Sequence, residues 1–206
     1  MAEIRPFKGI RYNQKIIKNL ASVICPPYDV ISAQFQEELY QRSEFNFVRI
    51  EFNRELPQDN TFDNRYSRSA SNIKQWLEEG ILEADDTPAI YIHQHSFSCL
   101  GKSYQRNNII ACVRLEEWDK RVIRPHENVM PKPKNDRLNM LWACQANTSP
   151  VFSLYEDSQK AISSVLSSQV NNRPLINLVD CLKEKHKIWA ITDSDIINQI
   201  REAPRK

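Results

Sequence analysis

Glycine is nearly missing from this chain, with only Gly9, Gly80 and Gly101 among 206 residues. Set so far apart, they exclude both the Walker loop and the G-x-G-x-x-G turn, which need clustered glycines so that backbone N–H groups can reach a phosphate. Long apolar runs are also missing. None approaches the ~18 residues that span a bilayer, so no membrane partner is expected. Charge of one sign is lacking too: 28 Lys and Arg stand against 26 Asp and Glu, a net +2, so no basic footprint for nucleic acid is expected. The five cysteines, Cys25, Cys99, Cys112, Cys144 and Cys181, are odd in number and form no C-x-x-C pair. With no signal-peptide pattern at Met1-Ala2-Glu3-Ile4-Arg5, they read as reduced thiols of a cytoplasmic protein.

What is present is an ordinary globular composition, 41% hydrophobic and 26% charged, with 11 prolines as punctuation. Helix signals lie at Ser32 to Tyr40, capped by Ser32, and from Asn60 or Thr61 through Leu77, with Gly80 as the stop. Further helices are expected from Asn135 or Asp136 to Gln145, from Ser158 to Leu166 and from Ser194 to Ile200. Strands are expected at Phe45 to Phe52, Ala89 to Cys99, Asn108 to Leu115, Val151 to Tyr155, Leu175 to Val179 and Ile188 to Thr192. The second and third flank Leu100-Gly101-Lys102-Ser103 as a hairpin. Interspersed elements with a hairpin in the middle predict an α+β fold: a mixed sheet with a central antiparallel hairpin, flanked by helices, in a single unit over 1–206.

Chemistry concentrates in one segment. Arg124, His126, Glu127, Lys132, Lys134, Asp136 and Arg137 combine a group that titrates near neutrality, carboxylates that can orient it or hold Mg²⁺, and cations that hold an anion. Pro131 and Pro133 are expected to bar a helix across Met130 to Pro133 and to display these groups on a loop. His126 and Glu127 are the catalytic candidates. Arg124, Lys132, Lys134, Asp136 and Arg137 are the candidates for a small phosphorylated or carboxylate ligand. The bland alternative is a charged surface loop of paired ions.

Two other sets invite chemistry. In Cys25-Pro26-Pro27-Tyr28-Asp29-Val30 no nearby base or cation activates Cys25. There the prolines instead fix an extended approach, with Tyr28 and Asp29 as pocket-lining candidates alongside Asn147. His93 and His95, two apart on one strand, share a face, yet no third ligand has matching spacing and no metal site is expected. A metal-dependent hydrolase built on them is accordingly the weakest functional reading. His186, inside Lys183-Glu184-Lys185-His186-Lys187, reads as a solvated turn.

Three blocks carry a family resemblance: Pro26-Pro27-Tyr28-Asp29-Val30, the His126-Glu127 loop with Lys132 through Leu141, and Ala146-Asn147-Thr148-Ser149-Pro150-Val151-Phe152. In order and spacing they resemble the bacterial and archaeal family designated domain of unknown function 1015, over essentially the whole chain. The resemblance implies that members are about twice this long and carry a Gly-His-His-Arg motif shortly beyond the position of Lys206, a motif absent from this sequence. That motif is similar to the phosphate-binding signature of the ParB and sulfiredoxin-like superfamily, which includes kinases acting on free serine. By that analogy the chain is the N-terminal half of a nucleotide-dependent phosphotransferase using nucleotide with Mg²⁺, inactive alone. The family usually has threonine where Val129 stands, and loss of that hydroxyl removes one phosphate or metal contact. The alternative is a non-catalytic interaction domain that packs on another half or forms a homo-oligomer.

Overall fold

The computed structural model describes residues 2–125 and 130–203. The fold is α+β, and the chain divides into two compact units, the first drawn from Met1–Gly9, Ala84–His126 and Phe152–Lys206, the second from Ile10–Glu83 and Glu127–Val151.

The first unit is built on a four-stranded sheet in the order β5-β4-β8-β7. Its strands are β4 (Ile90–Cys99), β5 (Lys102–Ile110), β7 (Ile176–Val179) and β8 (Lys185–Ile191), and each neighbouring pair is antiparallel. The expected mixed sheet is therefore corrected to an antiparallel one. Leu100 and Gly101 both take left-handed φ, 49° and 75°, as a two-residue hairpin turn requires. Pairing begins at once after that turn, so β5 starts at Lys102 rather than at Asn108.

Alternation along β4 separates two faces. Ile90 and Ile92 stand opposite Ile191 and Trp189 of β8, and all four are buried with Ile162 and Leu166 of α6 (Ala161–Gln169) and Ile197 and Ile200 of α7 (Ser194–Glu202). Asp193 caps α7 through Asp195 N and Ile196 N. Tyr91, His93 and His95 point to the opposite face. A short pairing of β1 (Ile4–Arg5) with β6 (Cys112–Val113) adds Ile4 to the core.

The second unit is mainly helical: α1 (Leu20–Val23), α2 (Ala33–Arg42), α3 (Val48–Glu51), α4 (Arg65–Glu78) and α5 (Pro131–Cys144), beside a strand pair of β2 (Ile10–Tyr12) and β3 (Leu82–Ala84). Ser32 caps α2 by accepting from Phe35 N, as the sequence indicates. Asn64, not Asn60 or Thr61, caps α4 in a reciprocal box with Ser67. Asn60 spends its side chain on a tight turn, accepting from Phe62 N and Asp63 N. Gly80, at φ 70°, ends α4 as expected.

Three further expectations fail, two of them for identifiable reasons. The strand at Phe45 to Phe52 is instead α3 and its lead-in, with Val48, Ile50 and Glu51 all buried. A short segment buried on every side shows no helical period and mimics a strand. Val151 to Tyr155 forms no strand. Finally, α5 starts at Pro131, ahead of Asn135, because prolines in a first turn lack only N–H groups that would have no helical partner there. Cys25, partly buried, packs against the Ile31, Leu39, Tyr40 and Val48 cluster.

Ile92 is 0% exposed at the centre of the first core, so Ile92→Ala should cost roughly 2–5 kcal/mol. Urea denaturation checks this, and a loss below about 1 kcal/mol would show that the site is not closely packed.

Candidate functional site

In the second unit, the motif blocks come together around one carboxylate. Glu51, at the end of α3, is 2% exposed. Its Oε1 accepts from Arg137 Nη1 at 2.8 Å and from the Ser149 hydroxyl, and its backbone oxygen accepts from Arg137 Nη2 at 3.3 Å. Oε2 has no partner among the described residues. The Arg137 guanidinium also lies 3.8 Å from the centroid of the Tyr28 ring, which itself packs at 6.5 Å from Phe52. Pro27 holds φ −54° and ψ 145° and delivers Tyr28 into a single 3₁₀ turn, Tyr28–Val30.

Asp136 completes the network. Its Oδ2 accepts from Arg137 Nε at 2.9 Å, while Oδ1 accepts from the Tyr66 hydroxyl at 2.9 Å and from Arg65 of α4. Two carboxylates and two guanidiniums thus neutralise one another, with Asp136 and Arg65 side chains only 11% and 15% exposed. Beside them, burial first and the Glu51 charge second push the Cys144 thiol up to about 11, so it stays protonated at neutral pH.

The candidates from sequence separate accordingly. Asp136 and Tyr28 meet at Arg137, which pairs with Glu51; Asp29 and Asn147 are exposed. Lys132 and Lys134 are exposed in the opening turns of α5. Among the described residues neither has an ion-pair partner, and no acidic side chain stands in that first turn. Pro131 and Pro133 lack N–H groups and Lys134 N is bonded to Met130 O, so anion affinity there rests on the two ammonium groups more than on backbone donors. Arg124 lies in the first unit, exposed, with Nε donating to Arg121 O at 3.3 Å. His126, Glu127 and Val129 lie outside the described residues. Sequence reading missed Glu51 because it was assigned to a strand; an acid inside the apolar run Val48-Arg49-Ile50-Glu51-Phe52 was the available signal.

In the first unit, the sheet face opposite the helices gathers three histidines. His95 and His186 are direct cross-strand partners and stack with centroids 4.4 Å apart, which places His186 in β8 rather than in a turn. His93 Nε2 lies 3.0 Å from His186 Nδ1, and His95 Nε2 lies 2.6 Å from Glu184 Oε2. His186 Nε2 lies 3.3 Å from Asp180 Oδ2, and Arg106 Nη2 is 3.2 Å from His95 Nδ1. Burial, followed by the neighbouring His186 and His95, pushes His93 down to about 4.

Two measurements test these arrangements. Arg137→Met leaves the buried Glu51 carboxylate without its cation and should cost about 3–5 kcal/mol in urea denaturation. Adding Glu51→Gln should restore part of the loss, and a single-variant cost under about 1 kcal/mol would remove the network from any central role. For His93, the unfolded chain takes up a proton near pH 6.5 that the folded chain refuses until about pH 4. Stability is therefore greatest above that window and falls as pH drops through it. Thermal midpoints of His93→Asn should decline less steeply over the same window; parallel declines would contradict the assignment.

Residues 4–206 match the family described as "Protein of unknown function (DUF1015)". No curated protein and no solved structure matches the chain. Among the described residues no helix is long and apolar enough to cross a membrane.

Proposed function

The chain belongs to the DUF1015 family, and from that premise we propose that it contributes one wall of a nucleotide-dependent phosphotransferase site, the other supplied by the Gly-His-His-Arg part that the resemblance implies. The observation that supports this reading is the convergence of all three motif blocks on the buried Glu51, Arg137 and Ser149 by direct hydrogen bonds and Tyr28 through its contact with Arg137.

In this reading Glu51 and Asp136 are positioning residues. They hold Arg137 and so fix the first turns of α5, from which Lys132 and Lys134 project. Two lysines at a helix N-terminus oppose the helix dipole, a placement that costs stability and is repaid when an anion binds. They take the nucleotide phosphates, while His126 and Glu127, by residue type, supply acid, base or Mg²⁺ contacts. The γ-phosphoryl group moves from ATP to the hydroxyl oxygen of a small acceptor such as free serine, the acceptor class of the ParB and sulfiredoxin-like kinases; the bond from Pγ to the β,γ-bridging oxygen breaks, ADP leaves, and the hydroxyl proton passes to the base. Without the Gly-His-His-Arg part, nucleotide binding should be weak or absent.

Calorimetric titration with ATP, ADP and Mg²⁺ tests it, run on this chain and on the longest product of the reading frame that contains it. A longer product should bind ATP with Mg²⁺, and Lys132→Ala with Lys134→Ala should weaken binding at least about tenfold, the equivalent of ~1.4 kcal/mol. No heat at millimolar ligand in a product carrying Gly-His-His-Arg, or unchanged affinity in the double variant, would overturn the reading.

A second reading, a non-catalytic interaction domain, is favoured by the segment at 151–154, which is in no helix or strand. There Val151, Phe152 and Leu154 are 90%, 56% and 84% exposed. Exposed apolar side chains grouped in this way attract a partner surface or a second copy. Sedimentation velocity should then show concentration-dependent self-association that Val151→Ser with Leu154→Ser abolishes. A monomer at all concentrations would leave a homo-oligomer without support.

A further inference from the structure

We propose that His95, His186 and Glu184 form a divalent transition-metal site, of the class that takes Zn²⁺, on the face of the first unit's sheet opposite its helices. It is separate from the nucleotide reading and does not depend on it.

The three residues offer two imidazole nitrogens and a carboxylate oxygen, all within 4.8 Å of one another. Tetrahedral zinc with bonds of ~2.0–2.1 Å needs donors about 3.3 Å apart, so small side-chain rotations complete the set. The scaffold is rigid where it matters. His95 and His186 are paired across β4 and β8, and Glu184 sits just before β8 in a turn that Asp180 stabilises by accepting from Leu182 N and Glu184 N. The side chains of His95, His186 and Glu184 are 11%, 21% and 26% exposed, sheltered yet reachable by an ion.

The hydrogen bonds around each imidazole set which nitrogen a metal would take. A carboxylate accepts, so the His186 Nε2 facing Asp180 carries the proton and Nδ1 keeps its lone pair. A carboxylate orienting the far side of a ligating imidazole is the usual outer partner of a metal histidine. His93 Nε2 flanks His186 Nδ1 at 3.0 Å and must turn aside or join the ligands. Similarly, His95 must move its proton from Nε2 to Nδ1, where Arg106 now donates. Arg106 has another resting place, since its guanidinium lies 5.3 Å from the Phe97 ring and 5.8 Å from the Phe152 ring. Two histidines and one carboxylate leave a coordination position open, as in metal sites that bind water or a substrate.

The test is calorimetric titration of Zn²⁺ alone into tag-free, chelator-treated protein. About one equivalent should bind, and His95→Ala and Glu184→Gln should each weaken it by at least about tenfold, with Asp180→Asn also weakening it through His186. Cys99→Ser and Cys181→Ser, which remove exposed thiols, should leave the affinity unchanged. Co²⁺ should give visible d–d bands without a thiolate charge-transfer band. Circular dichroism establishes that each variant folds; Glu184→Gln, the most exposed ligand, carries the test if His95→Ala does not fold. Lack of saturable Zn²⁺ binding, equal affinity in the ligand variants, or loss confined to the cysteine variants would overturn the site and leave a hydrogen-bonded histidine cluster only.

Discussion

A carboxylate buried to the extent of Glu51 is costly unless a cation and hydrogen bonds compensate it, and much of the second unit follows from meeting that requirement. Arg137 provides the charge, which ties α5 to the end of α3. Its remaining donors need their own acceptors, and Asp136 takes them while also binding Arg65 and Tyr66 of α4. The flat guanidinium then offers a face on which Tyr28 rests, so the proline-fixed turn is held by the same cation. One buried charge thereby links three helices, a turn and the segment carrying Ser149.

The first unit meets a different constraint with β4 at its centre. Side chains alternate across a strand, so one face of β4 presents Ile90 and Ile92 to the helices while the other presents Tyr91, His93 and His95. Pairing with β8 in register places His186 beside His95, and the same register places Trp189 beside Ile92. The register that builds the core thus also builds the histidine cluster. A slip of one residue would exchange the two faces, burying imidazoles under the helices.

Much of the local structure was legible in the sequence. Ser32 as a cap, Gly80 as a stop, the hairpin at Leu100-Gly101 and the α+β class all follow from side-chain chemistry within a few residues. The errors have separate causes. At Phe45 to Phe52, surroundings on all sides erase the period, and at Pro131 a helix start tolerates residues that a helix interior rejects. Of the residues in the Glu51 network, Asp136, Arg137 and Tyr28 are candidates by residue type in the sequence, as anion-binding and pocket residues, whereas Glu51 and Ser149 join them only through the fold. His186 was invisible as a partner of His95 because 90 residues of chain separate them.

By itself, then, the sequence determined which segments carry polar chemistry, which loops lack the glycines to cradle a phosphate, and the family to which the chain belongs. Tertiary structure alone decided what those groups do to one another. It assigned Arg137 to Glu51 rather than to solvent, left Lys132 and Lys134 exposed without ion-pair partners among the described residues, and brought Glu184 and His186 to His95. The physical reason is range: caps, turns and propensities act over a few residues, whereas ion pairs and metal-ligand sets act over a few ångströms, a distance that only the folded chain defines.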